Sequence, residues 1–136
     1  MKSKAELFAE LDTLKSRLDA HCPLPPDVVS QIREDMRIRF TYHSNAIEGN
    51  TLTMSETKAV LEDGITIGGK SLKEHLEAVG HSHAIDYLEA LAHGDEALTE
   101  RTLKEFHSLI LRNIDAANAG AYRRVNVLIS GAGHIP

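Results

Sequence analysis

Leu7, Leu11, Leu14 and Leu18 recur at spacings of four, three and four, with charged residues between them. That stripe predicts an amphipathic helix from about Ser3 to His21. Cys22-Pro23-Leu24-Pro25-Pro26 ends it, because each proline removes a backbone donor and restricts the residue before it. The prolines make a stiff elbow. A second helix is expected from Pro26 or Asp27, since proline is tolerated in a first turn. Val29, Ile32, Met36, Phe40 and Ile47 are assigned to one broad apolar face of that helix. Gly49 is placed to end it in a left-handed conformation.

Two capping boxes come next. Thr53-Met54-Ser55-Glu56 predicts a short helix that stops at Gly64, and Ser71-Leu72-Lys73-Glu74 predicts a longer one ending around His93-Gly94. Leu76, Val79, His83, Tyr87 or Leu88, and Leu91 are the expected inner face of the longer helix. Thr99 or Thr102 caps a further helix, with Leu103, Phe106, Leu109 or Ile110, and Ile114 inward. After Asn113 the pattern changes. Val125-Asn126-Val127-Leu128-Ile129 alternates as a strand should, Ser130 to Gly133 reads as a turn, and His134-Ile135-Pro136 reads as a returning strand. The expected fold is mainly α, about five helices followed by a β-hairpin, divided into residues 1–50 and 51–136. An isolated hairpin is marginal in water, so this one is expected to lean on the helices, on a further segment or on a partner. The chain reads as cut rather than finished.

Composition adds constraints. The chain has 136 residues, enough for one domain, with 42% hydrophobic and 26% charged residues and only 4% aromatics. Its net charge of −5 supplies no basic footprint for nucleic acid. Cys22 is the single cysteine, which rules out an intrachain disulfide. There is no apolar signal core at the N-terminus and no stretch long enough to span a bilayer, so a cytoplasmic protein without membrane contact is expected.

The candidate chemistry is sparse. Ser44 and Glu48 are one helical turn apart and share a face. Glu48 falls in the last turn, where the helix dipole disfavours a carboxylate by a few tenths to about 1 kcal/mol. An arginine fork nearby would offset that. From spacing alone, a solvent-exposed glutamate before a glycine cap is the commoner reading. Among the eight histidines, His75, His81 and His83 share a helix, but offsets of six and two point around the cylinder, so no metal site is expected. His83 is instead expected partly buried against Tyr87. The glycine-rich Ile65 to Lys70 connector has neither the spacing of a phosphate loop nor a strand before it.

Two blocks carry a family resemblance. Ser44-Asn45-Ala46-Ile47-Glu48-Gly49-Asn50 fits [Ser/Thr]-x-x-x-Glu-[Gly/Asn], and so resembles the inhibitory helix of Fic-type AMP transferases. Gly120 to Val127 and Gly131 to Pro136 resemble the flap of the same family, a hairpin over the active site. The resemblance runs from about Ile32 to Pro136. It implies a Fic-type helical bundle in which residues 1–50 hold the inhibitory helix and 51–136 begin the catalytic core. It also implies transfer of AMP from ATP, with Mg2+, to hydroxyls of a target protein. Ser44, Glu48 and Gly49 would be inhibitory, the glutamate pairing with an arginine of the catalytic loop and keeping the γ-phosphate out of its productive position. Val125, Asn126, Val127, Leu128 and Ile129 would dock the target by main-chain pairing.

One departure is plain. The family's catalytic loop, His-x-Phe-x-[Asp/Glu]-Gly-Asn-Gly-Arg, occurs nowhere in the 136 residues. No catalytic residue is therefore assigned, and neither activity nor a bound cofactor is expected of this chain alone. The alternative from another class is a non-catalytic helical module, pairing with itself or with a Fic partner as an antitoxin does.

Overall fold

A computed structural model describes residues 2–94 and 97–125. All regular structure among them is helical: α1 (Lys4–Asp19), α2 (Pro26–Ile47), α3 (Met54–Asp63), α4 (Leu72–His93) and α5 (Glu100–Leu111). Four of the five starts are capping boxes, with Ser3, Thr53, Ser71 and Thr99 each accepting from the amide three residues on. α3 stops where the sequence predicts, at Gly64, whose φ of +65° is the left-handed conformation glycine adopts without strain. The expected hairpin lies outside the described residues, apart from Val125, which is exposed. No helix among the described residues is long and apolar enough to cross a membrane.

The chain divides into two compact units, one ending at Asp35 within α2 and one beginning at Met36. In the first, α1 has no buried residue, and Leu7, Leu11, Leu14 and Leu18 are all about half exposed. In the second, α4 packs against both α3 and α5. Leu52, Val60 and Ala78 form its buried apolar centre, with Ile67 and Val79 packed on it. Gly80 permits the approach of α5, since a Cβ there would stand 2.9 Å from the Ile110 carbonyl oxygen and 3.0 Å from that of Leu109.

Two helix faces differ from the sequence expectation. In α2 the assigned apolar stripe of Val29, Ile32, Met36, Phe40 and Ile47 is exposed, and Ile38 and Thr41 are the buried residues. Thr41 has no exposed surface at all. Within α4 the buried positions are His75, Ala78, Gly80, Ser82, Ala84 and Ile85, whereas Leu88 is exposed. Small side chains are innermost there because α4 is gripped on two sides and its neighbours come close to its backbone.

Candidate functional site

The end of α2 is built by its last carbonyls. The Gly49 amide donates to the Ala46 carbonyl at 3.1 Å and the Asn50 amide to the Asn45 carbonyl at 3.0 Å. That pair of bonds is a Schellman motif, with Glu48 as the cap and Gly49 next at φ +95°. Earlier in the helix, Asn45 Nδ2 donates to the Thr41 carbonyl at 2.9 Å. Ser44, half-buried, lies one turn before the exposed Glu48. No hydrogen bond or ion pair reaches the Glu48 carboxylate from the described residues, and none joins it to Ser44. The sequence-assigned trio is thus brought to one helix end, with a carboxylate presented to solvent at the negative pole of the helix.

The residues after Gly49 are held firmly. Asn50 Nδ2 donates to the Glu74 carbonyl at 2.9 Å and to Glu77 Oε2 at 3.0 Å, while its Oδ1 accepts from the Leu52 amide at 3.0 Å. Thr51 donates its amide and its hydroxyl to Glu74 Oε1, at 2.9 and 2.6 Å. Glu74 Oε2 accepts from the amide and hydroxyl of Ser71, at 2.8 and 2.9 Å, as the capping box requires. The Thr51 hydroxyl first, then the Ser71 and Thr51 amides, hold the Glu74 carboxyl down at about 2. Lys70, delivered by the Gly68-Gly69 turn, donates to the Thr51 hydroxyl at 3.0 Å and lies 3.8 Å from Glu56. The glycine-rich connector therefore has a structural use, carrying a lysine to the chain that leaves α2.

Sequence reasoning did not single out Asn50, Thr51 or Glu74 as site residues. The only local signal is a donor-rich Asn-Thr pair just after a helix-ending glycine. Their partners lie 24 and 23 residues away, a distance no periodicity reports.

The histidines of α4 go to different partners. His75 Nδ1 donates to the Ser71 carbonyl at 2.7 Å and Nε2 accepts from the Ile67 amide at 2.8 Å, which fixes its tautomer. His81 Nδ1 is hydrogen-bonded to the Thr41 hydroxyl at 3.2 Å, and its ring meets Phe40 edge-on at 5.4 Å. Burial pushes its pKa down from 6.5. His83 is exposed rather than buried against Tyr87, and it accepts from Arg112 Nη2 at 3.3 Å. Tyr87 packs instead on Phe106, at 5.0 Å, and donates its hydroxyl to Glu105.

Elsewhere in this unit, Leu103, Lys104, His107, Gly120, Ala121, Tyr122 and Arg123 line a groove. His107 Nδ1 accepts from the Gly120 amide at 3.0 Å, and Lys104 Nζ lies 4.6 Å over the Tyr122 ring. Val125, the first residue of the sequence-assigned docking strand, is exposed. Asn126, Val127, Leu128 and Ile129 lie outside the described residues.

No family model matches the chain. Among curated proteins it is similar to the protein adenylyltransferase Fic of Culex quinquefasciatus, with 32% identity over 130 residues, 95% of this chain and 25% of that protein. The protein of the same name from Nematostella vectensis is 33% identical over 93% of this chain and 30% of its own length. The chain thus spans between a quarter and a third of these two relatives. Among solved structures, Fic-1 from C. elegans aligns over 88% of this chain and 38% of its own, with a TM-score of 0.70 and 32% identity. A Fic-domain-containing signalling protein from Bacteroides thetaiotaomicron aligns over 88% and 46%, with a TM-score of 0.77 and 30% identity.

Proposed function

The chain is a segment of the Fic family, and from that premise we propose that it is the regulatory and target-docking part of a protein that transfers AMP from ATP to protein hydroxyls. The observation that carries this reading is the end of α2. A carboxylate stands exposed at a helix C-cap, on a rigid Schellman turn, with no cation on it among the described residues. A carboxylate so placed is unfavourable for the helix and well suited to accept an arginine fork from outside. In the proposed role Glu48 takes the arginine of a Fic catalytic loop and so denies it to the γ-phosphate of ATP. Ser44, one turn before, would steady it in that paired state, and Gly49 sets the turn.

ATP and Mg2+ belong to the catalytically complete enzyme in this reading. Mg2+ would supply neutralisation of the phosphate charge, and no residue of this chain is assigned to hold it. In this reading the residues of this chain contribute the brake, and residues 125–129 are the segment that would dock the target protein. The decisive experiment joins this chain to a Fic catalytic loop in one polypeptide. Glu48→Gly is then expected to raise AMP transfer to a protein target at saturating ATP. Equal transfer by the parent and by its Glu48→Gly variant rejects the inhibitory assignment.

A further inference from the structure

A capping box needs one carboxylate oxygen for the N-cap residue, and Ser71 occupies Oε2 of Glu74 in that way. Oε1 is committed elsewhere, to two donors of Thr51, twenty-three residues upstream. Asn50 reinforces the link on the same turn of α4 through the Glu74 carbonyl and the Glu77 carboxylate. These two residues stand two and three positions after Glu48. Between them and it lies only Gly49, locked by the Schellman bonds. The Glu48 side chain has no partner of its own among the described residues, so its location is set by α2 on one side, tied to α4 at Thr41 and His81, and on the other by where Asn50 and Thr51 are held. Helix ends fray, and a cap with no tertiary tie samples many positions.

We propose that Asn50, Thr51 and Glu74 form a latch that fixes the Glu48 carboxylate in space, so that opening the latch releases the brake. The regulatory half of this statement rests on the inhibitory reading of Glu48, whereas the anchoring half stands on the hydrogen bonds alone. Asn50, Thr51 and Glu74 are positioning residues: they act through Glu48. Thr51 is the informative one to change. Thr51→Val keeps the shape and the amide and loses the hydroxyl, and Thr51→Ser keeps the hydroxyl.

The test has two arms. In the 136-residue chain, NMR titration should find the Glu74 carboxyl at about 2. Thr51→Val raises that value and speeds amide exchange at Gly49 and Asn50, with exchange in α5 unaltered, and Thr51→Ser restores both. Unchanged exchange at Gly49 and Asn50 in Thr51→Val overturns the anchor. In a polypeptide that also carries a Fic catalytic loop, Thr51→Val is expected to raise AMP transfer about fivefold, as the hydroxyl's bonds with Glu74 and Lys70 are lost. It should add nothing once Glu48→Gly has already removed the brake. A Thr51→Val effect of the same size in both backgrounds, or none where Glu48→Gly is active, overturns the regulatory half. If Glu48→Gly itself changes nothing, the inhibitory reading fails and takes the regulatory half with it, and the first arm still decides the anchor.

Discussion

Glu74 is where residue chemistry and stability meet. Its two oxygens accept four hydrogen bonds from Thr51 and Ser71, and each favours the ionised form. The folded carboxyl sits at about 2 against an ordinary 4.5. A carboxyl depressed on folding contributes stability that is present in full above 4.5 and is lost as pH falls toward 2. Urea denaturation across that window should show stability declining with acid, and Glu74→Gln should flatten the decline. A slope equal to the parent's would remove Glu74 from the acid response. His81 acts in the same direction at higher pH. Its folded pKa is depressed by burial, so the unfolded chain takes up a proton that the native site refuses, and stability falls as pH drops through 6.5. His81→Gln should remove that component. Of these groups, the sequence disclosed only the cap role of Glu74. Ser44, Glu48 and Gly49 could be singled out from the sequence because they lie within six residues at the end of one helix. Thr51 and Asn50 were not, because their meaning comes from α4 folding back beside them.

Helix termini were more legible than helix faces. Thr53 and Ser71 announce their helices because a capping box is complete within four residues, and the structure realises both; between Thr99 and Thr102, which the sequence leaves open, Thr99 is the cap. Faces depend on neighbours. The stripe from Val29 to Ile47 satisfies helical periodicity but stays exposed, while Thr41, with its hydroxyl on His81, is fully buried. Likewise the inner side of α4 consists largely of glycine, alanine, serine and histidine, which carry little hydrophobic signal. Gly80 is the sharpest case. Helix propensity alone favours Gly80→Ala by about 1 kcal/mol. The added Cβ would meet the Ile110 and Leu109 carbonyl oxygens at 2.9 and 3.0 Å, and a helix backbone cannot yield as a side-chain tip can. Packing therefore wins, and Gly80→Ala is expected to destabilise by about 1–3 kcal/mol in denaturant titration, the usual cost of overpacking. Gly68→Ala, where nothing lies within 4 Å, is the control and should be near neutral. A neutral Gly80→Ala would mean that α4 and α5 are not packed this closely.

At the scale of the whole molecule, the family was readable because two short blocks occur in the right order, and the likeness to Fic proteins covers nearly all of the chain. Activity is a separate matter. The chain corresponds to about a quarter of the Culex relative, and its 136 residues hold no His-x-Phe-x-x-Gly-Asn-Gly-Arg run to supply a general base, a phosphate nest and arginines. An inhibited enzyme and a chain without a catalytic loop both look silent in a transfer assay, and Glu48 separates them. Under the proposed inhibitory role the carboxylate is the obstacle in an enzyme that carries the loop, so Glu48→Gly is expected to uncover transfer there. These 136 residues hold no catalytic-loop run for the carboxylate to obstruct under that role, and the variant is expected to be as silent as the parent. The measurement is AMP incorporation into protein from labelled ATP with Mg2+, using the purified 136-residue chain and its Glu48→Gly form. Incorporation by either would show that the chemistry resides in these residues after all, and the search for its base would begin at His107, which lines one groove with Lys104 and Tyr122.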